Sequence, residues 1–145
     1  MLLHPLAVVG LGDGDGGAHC GVICDASTLT YLLTHWVRDR ARGPRFPIEQ
    51  IVRRQTHETA QLYGLEDRGL LAPGMLADLN VIDFDGLGLA APEMVFDLPA
   101  SGRRLVQRAR GYQATVKRGA VVFENGEPTG ALPGRLLRGP QPPPA

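Results

Sequence analysis

Cysteine is scarce in this sequence, with two residues, Cys20 and Cys24, among 145. Two cysteines this close together cannot build the disulfide framework of a small secreted domain, so a reducing, cytoplasmic compartment is expected. Net charge is also lacking, because 15 Lys and Arg residues balance 15 Asp and Glu residues. Proteins that bind nucleic acids or anionic membranes are usually basic, and the balance argues against both partners.

Long apolar runs are missing as well. No stretch approaches the roughly 20 apolar residues that cross a bilayer. Residues 1–11 are apolar, but they are few, lack a basic segment and run into a Gly/Asp loop, which makes them a poor signal peptide. The sequence therefore predicts no membrane partner.

Glycine and proline are abundant, with 19 and 12 residues, so many turns are expected. Residues 6–11 predict a short strand buried on both faces, as in parallel sheets. The strand ends in the loop 12–17, where glycines alternate with Asp13 and Asp15. No partner strand lies nearby in sequence, yet strand backbone groups need neighbours. We therefore expect this strand to belong to a structure larger than these 145 residues.

Two or three helices are predicted next. Residues 25–27 offer capping side chains, and Gly43 with Pro44 ends the first helix. A second helix opens at Pro47, with Ile48, Ile51 and Val52 on one side, and Thr56 is expected to cap a third that closes at Gly64. The apolar face of the first helix comprises Leu29, Leu32, Leu33, Trp36 and Val37.

Beyond Gly64 the pattern changes to short strands. Residues 79–82 predict a strand, and residues 114–116 and 120–123 predict a hairpin. Residues 87–110 contain two prolines and are predicted to be irregular. The Pro-, Gly- and Arg-rich residues 133–145 are predicted to be a mostly disordered tail. The predicted units are therefore 1–64, 65–132 and 133–145.

Four segments carry a family resemblance. They are Gly10-Leu-Gly-Asp13 with Asp15-Gly-Gly-Ala-His19; Cys24-Asp-Ala-Ser27 with the helix 31–40; residues 64–83, including Pro73-Gly-Met-Leu-Ala-Asp-Leu79; and Asp97-Leu-Pro-Ala100 with Gly111-Tyr112 and residues 125–131. Together they resemble the N-acyl-D-amino-acid deacylase (D-aminoacylase-like) branch of the amidohydrolase superfamily. The Asp-Gly-Gly-Ala-His segment joined to the Tyr-Leu-Leu helix is the most specific part.

The resemblance implies a metal-dependent (β/α) barrel with a small β-domain built from both chain ends. A complete barrel takes about 200 residues or more, so this chain cannot contain one. The implied fold class is therefore α/β: the last barrel strand and the helices that follow it, as an incomplete barrel, plus the C-terminal share of the small β-domain.

The resemblance also implies deacylation of N-acyl-D-amino acids, that is, hydrolysis of linear, non-peptide C–N bonds, with zinc in the complete enzyme. An aspartate after the last strand then takes a proton from metal-bound water and delivers one to the leaving amine. Counted from the strand this is Asp13, and counted from Gly-Gly-Ala-His19 it is Asp15, which we prefer. The apparent Gly-Asp insertion shifts a side chain by roughly 3.3 Å per residue, whereas catalysis tolerates about 1 Å. Without the resemblance, both residues would simply be solvated turn aspartates.

His19 orients the aspartate or touches the substrate, or else it is a structural histidine. It matches none of the family's metal-ligand motifs, which lie upstream of the residues present here. We therefore assign no metal ligand to this chain and expect no stable zinc on it. A separate zinc site is disfavoured, because its candidates do not have the usual structural spacing; they are His19, Cys20, Cys24, Asp25 and His35.

Two other features have plain interpretations. Trp36 is expected to be a core residue. The cluster of Arg103, Arg104, Arg108 and Arg110 either binds a carboxylate or, as we favour, forms a solvated basic face.

Two functional hypotheses follow. In the first, the chain is part of a zinc hydrolase of N-acyl amino acids, inactive alone, whose partner is the upstream barrel or another chain. In the second, it is a truncated, non-catalytic remnant that acts as an oligomeric or interaction module through exposed apolar surface.

Overall fold

The first helix of the chain changes its geometry halfway. A computed structural model describes His4, Ala7, Val8 and residues 24–144. Helix α1, Cys24–Tyr31, leads directly into a π-helical segment, Leu32–Asp39, which ends with the Arg40 amide donating to the His35 carbonyl at 2.8 Å. This wider turn buries three successive residues, Leu32, Leu33 and Thr34. Leu29, which the regular helical spacing predicts on the same face, is 40% exposed.

Two short helices follow, with a boundary close to the predicted one. Helix α2 spans Ile48–Gln55 and helix α3 spans His57–Leu62. Thr56 occupies the position before α3, but its side chain does not cap that helix. Its hydroxyl donates instead to the Val52 carbonyl, at 2.8 Å, in the last turn of α2. The capping prediction is wrong because the threonine hydroxyl bonds to the backbone carbonyl four residues before it and is then not available to the amides of α3.

A four-stranded antiparallel sheet forms the largest β-structure among the described residues. Its order is β1-β6-β7-β8, with β1 at Leu79–Ile82, β6 at Tyr112–Lys117, β7 at Ala120–Glu124 and β8 at Glu127–Pro128. The predicted β1 and the predicted β6–β7 hairpin are confirmed. The hairpin turns through Arg118 and Gly119, both with positive φ, as a two-residue turn of this hand requires.

Residues 87–110 are not irregular, and that prediction is wrong. The short strands β2, Gly88–Leu89, and β5, Ala109–Arg110, pair with each other, and β3, Glu93–Leu98, pairs with β4, Gly102–Val106. Pro92 precedes β3, and Pro99 opens the 3-10 turn Pro99–Ser101 between β3 and β4. The prolines therefore bound short strands instead of excluding them, because proline is tolerated at strand starts and in turns.

The core lies between the helices and one end of the sheet. Its buried members are Leu32, Leu33, Ile51 and Leu87, and Trp36, Val37, Phe46, Ile82, Phe84 and Tyr112 pack around them. Trp36, which was predicted to be a core residue, is half-buried and packs against this core. Gly111 passes close to Leu87, with φ +95°, and a Cβ there would lie 2.7 Å from the Leu87 Cα. Only glycine fits this position without shifting the backbone.

The Pro-rich end of the chain has a defined place, which differs from the predicted disorder. Gln141 forms an isolated parallel bridge with Leu65. Its amide donates to the Gly64 carbonyl at 2.8 Å, and its carbonyl accepts from the Glu66 amide at 3.0 Å. Pro140 and Pro142 have no backbone amide to donate, but their restricted backbone reduces the conformational entropy lost when this segment binds. Gln141, between them, forms the backbone hydrogen bonds.

None of the helices that the structure describes combines the length and apolar character needed to cross a lipid bilayer.

Candidate functional site

The residues predicted to carry catalysis lie outside the described part of the chain. This holds for Asp13, Asp15 and His19, and for most of the predicted strand at residues 6–11. Their assignment stays a prediction. What the structure describes is the set of contacts that hold the chain on either side of this loop.

A buried arginine holds the backbone at the start of the predicted strand. The two described residues of that strand, Ala7 and Val8, are not in a strand, and Val8 is 47% exposed instead of buried as predicted. Arg54, in α2, is 8% exposed, and its guanidinium donates to the carbonyls of Ala7 at 3.1 Å and His4 at 3.5 Å. Glu58 lies 4.0 Å from the same guanidinium. A buried charge needs such partners, because removal from water is costly. Arg54 therefore connects α2 to the segment that enters the predicted catalytic loop.

Sequence reasoning missed Arg54, although one signal was present. Arg54 follows Ile51 by three positions, so the two side chains share a helix face. Ile51 is 2% exposed, which makes that face the buried one. An arginine on an apolar helix face indicates a charged group with an internal partner.

Two polar contacts fix the first helix after the predicted loop. The hydroxyls of Thr30 and Tyr112 are 2.8 Å apart, which connects α1 to β6. Arg38 donates to the carbonyls of Phe84 at 2.6 Å and Asp85 at 3.1 Å. Its hydrogen bond to Asp39 raises the pKa of the Arg38 guanidinium above its ordinary value. These contacts connect the first helix to the sheet region.

An open cavity of about 820 Å³ separates α2 from β1. Its volume is in the range of small-molecule sites. The apolar part of the lining comes from Leu33, Val52, Leu70, Leu71, Leu76, Leu79 and Ile82, and the polar part from Glu49, Arg53, Gln55, His57, Asp78 and Asn80.

The described residues do not provide a metal site. Among His4 and residues 24–144, no group of three or more His, Cys, Asp or Glu side chains is placed to hold a metal ion. His35, one candidate of the disfavoured zinc site, stacks on Tyr31 at 4.9 Å and contacts Trp36 edge-on at 5.3 Å. Zinc therefore does not fit the described residues.

The basic cluster near residue 104 is largely neutralised by acidic neighbours on β3. Arg104 forms a bidentate ion pair with Asp97, at 2.7 and 2.6 Å, and Arg108 pairs with Glu93 at 3.1 Å. These guanidinium groups are already occupied, which agrees better with an exposed face than with a carboxylate-binding site.

Comparison with known proteins gives one family and several relatives. A model of the family described as "Amidohydrolase family" matches residues 1–123. A D-aminoacylase from Alcaligenes xylosoxydans xylosoxydans is 34% identical over 110 residues, which cover 76% of this chain. An allantoinase from Desulfitobacterium hafniense is 27% identical over 119 residues, or 81% of this chain. A dihydroorotase from Lactobacillus johnsonii is 32% identical over 72 residues, or 50% of this chain.

The matched part is a small share of each relative. It covers 20% of the D-aminoacylase, 26% of the allantoinase and 16% of the dihydroorotase. No solved structure gives a significant match.

Proposed function

Because the chain belongs to the amidohydrolase family, we propose that it forms part of a hydrolase that deacylates N-acyl-D-amino acids at their linear amide bond. The observation that carries this proposal is the likeness to the D-aminoacylase, at 34% identity over three quarters of the chain. The matches to an allantoinase and a dihydroorotase support the broader class, a hydrolase of small-molecule amides, more than they support one substrate.

In this proposal the chain supplies the proton-transfer group. The Asp15 carboxylate, or Asp13 in the alternative register, accepts a proton from the attacking water and returns one to the leaving amine nitrogen. His19 orients that carboxylate or contacts the substrate. Zinc, when bound, lowers the pKa of the attacking water and polarises the amide carbonyl. Its ligands are assigned to a barrel segment outside these 145 residues, in the same polypeptide or in another chain.

The contacts of the helices support the assignment of this chain to the end of a barrel. We propose that residues 1–64 form the end of a (β/α) barrel and residues 65–132 the C-terminal share of a small β-domain. Barrel active sites lie at the carboxyl ends of the strands. Arg54, bound to the carbonyls of His4 and Ala7, then holds the backbone at the start of the proposed last strand.

A chimera tests the catalytic assignment. The matched segment of the Alcaligenes D-aminoacylase is replaced by this chain, and deacylation of N-acetyl-D-amino acids is measured with zinc. We expect the chimera to be active and Asp15→Ala to lose about 10²–10⁴-fold in kcat, as for a general acid–base group. Asp97→Asn, on the exposed β3–β4 hairpin, is the control.

Two results contradict the assignment. Full activity in both Asp13→Ala and Asp15→Ala would exclude both aspartates as the catalytic group. A folded, zinc-loaded chimera that hydrolyses none of these substrates would exclude the substrate class. The 145-residue chain alone is expected to be inactive, because the proton-transfer group then has no activated water to act on.

One observation favours the second candidate, an oligomeric or interaction module. Directly opposed residues of β1, β6 and β7 place mainly aliphatic side chains on one sheet face, here called the aliphatic face: Leu79, Val81, Ala114, Val116 and Val121, with Glu124 opposite Ala114 as the charged exception. Val81 is 43% and Val121 42% exposed. Such a surface favours association. Sedimentation of the 145-residue chain tests this, and a cooperatively folding monomer at all concentrations would contradict it.

A further inference from the structure

The turn between β6 and β7 is held by two consecutive residues that precede β1. The Arg118 amide donates to the Asp78 carboxylate at 2.8 Å, and the Gly119 amide donates to the Ala77 carbonyl at 3.0 Å. The Lys117 ammonium donates to the second carboxylate oxygen of Asp78. Both amides of the turn and the charge beside it are therefore satisfied by one dipeptide.

The same carboxylate is linked to the loop that leads to it. Arg68 lies 3.5 Å from Asp78 and forms a bidentate pair with Asp67, at 2.7 and 3.0 Å. The Asp67 carbonyl accepts from the Leu76 amide at 2.9 Å, which closes the loop 67–76 on itself. The loop and the hairpin turn thus share one connected set of polar contacts.

Solvent is largely excluded from the part of this set formed by Arg68, Asp67 and Asp78, whereas the Lys117 side chain is 36% exposed. The side chains of Arg68, Asp67 and Asp78 are 13%, 18% and 20% exposed. In the surface pair Arg104–Asp97 the side chains are 37% and 51% exposed. Charged hydrogen bonds gain strength where water is scarce, so the first set constrains the backbone more than the surface pair.

We propose that Ala77-Asp78, within Pro73-Gly-Met-Leu-Ala-Asp-Leu79, is a conformational clip that docks the β6–β7 turn onto the loop before β1. Leu70, Leu71 and Leu76 of that loop line the cavity between α2 and β1. The clip therefore holds the cavity wall in place, and its aspartate acts on the backbone instead of on a substrate.

Amide hydrogen exchange on the full 145-residue chain tests the clip. In Asp78→Ala we expect the Arg118 and Gly119 amides to lose protection by about tenfold or more, since the turn loses its charged acceptor. In Asp78→Asn, which keeps an acceptor but no charge, the loss is expected to be smaller. Asp97→Ala, which removes an aspartate from an exposed bidentate ion pair, is the matched control and is expected to change these two amides by less than about twofold.

Three outcomes would overturn the proposal. The first is protection within twofold of the parent in Asp78→Ala, and the second is an equal loss in Asp97→Ala. If Asp78→Ala does not fold, Asp78→Asn decides, because it removes the charge of the acceptor that binds the Arg118 amide. Unchanged protection of the Arg118 amide in Asp78→Asn is the third overturning outcome.

Discussion

The helical region, residues 24–63, and the sheet region, residues 79–128, differ in how they bury apolar side chains. Four of the five buried apolar residues belong to the helices: Leu32, Leu33, Ile51 and Ala60; Leu87 belongs to the sheet region. The strands leave Val81, Val121 and Phe123 more than 40% exposed. Sheets and helices both need a second layer to bury an apolar face. Within the described residues the helices have that layer, whereas the aliphatic face is covered only in part: Leu79, Ala114 and Val116 are half-buried, and Val81 and Val121 are exposed.

The largest expected effect comes from the helical side. Ile51→Ala removes a side chain that is 2% exposed and surrounded by Leu32, Leu33 and Leu87. We expect a loss of about 2–5 kcal/mol in the free energy of unfolding, measured by urea denaturation.

The neighbouring residue is a matched control. Val52, on the same helix, is 43% exposed, and Val52→Ala is expected to change the free energy of unfolding by about 0.5 kcal/mol or less. Equal losses in the two variants would show that the helical region has no core of its own. The two regions would then not differ in how they bury apolar side chains.

This contrast could be predicted only in part. The helical spacing identified Leu32, Leu33 and Ile51, because the residues that share a helix face recur at fixed intervals in the local sequence. It misplaced Leu29 and Val52, because the π-helical turn and the neighbouring elements decide exposure. The pairing of β2 with β5 and of β3 with β4 could not be read from residues 87–110, because strand pairing depends on partners distant in sequence.

A second, smaller effect is expected at Arg54. Arg54→Met keeps most of the apolar stem but leaves the carbonyls of His4 and Ala7 without this donor. We expect a loss of about 1–3 kcal/mol in the free energy of unfolding. Proteolysis at residues 4–8 should become faster, because their backbone loses its attachment to α2.

Arg53 is the control for Arg54. Its side chain is 67% exposed and pairs with Glu58 at the surface, so Arg53→Met is expected to cost about 1 kcal/mol or less. If both variants behave alike, Arg54 is not the buried anchor that its contacts indicate.

The candidate site itself was predictable from the sequence only as a resemblance. A Gly-Asp loop after an apolar run has the same local chemistry whether it is catalytic or a plain turn. The register of Asp13 against Asp15 depends on a backbone path that residue types do not encode. Arg54 was missed for the opposite reason: its sequence signal was present, but its partners lie about 50 positions away.

The boundary between the two regions is expected to weaken in acid. Burial alone would raise the pKa of the Asp78 carboxyl, but hydrogen bonds from Lys117 and the Arg118 amide, with the nearby charges, lower it below its ordinary value. A lowered pKa means that the stabilisation is present at neutral pH and is lost as the pH falls below about 4, the ordinary range of aspartate, through the folded-state pKa. We expect the free energy of unfolding to fall less steeply over this range in Asp78→Asn than in the parent.

Asp97→Asn separates this effect from acid sensitivity in general. Its hydrogen bond to Arg104 also lowers the pKa of Asp97, but that pair is exposed and screened by solvent. We expect Asp97→Asn to keep the slope of the parent. A slope unchanged in Asp78→Asn and reduced in Asp97→Asn would place the acid-sensitive contact on the β3–β4 hairpin.

The smallest effect on stability is expected on the aliphatic face, and this is why it tests the comparison most directly. Val121→Lys puts a charge on a side chain that is already 42% exposed, so the free energy of unfolding should change by about 0.5 kcal/mol or less. Self-association, measured by sedimentation, should decrease if the aliphatic face is covered by a second copy of this chain. Leu132→Lys, at a residue 93% exposed away from the sheet, should leave association unchanged. A large stability loss in Val121→Lys would mean instead that the face is already covered within the chain, because a lysine is costly only where apolar atoms surround it.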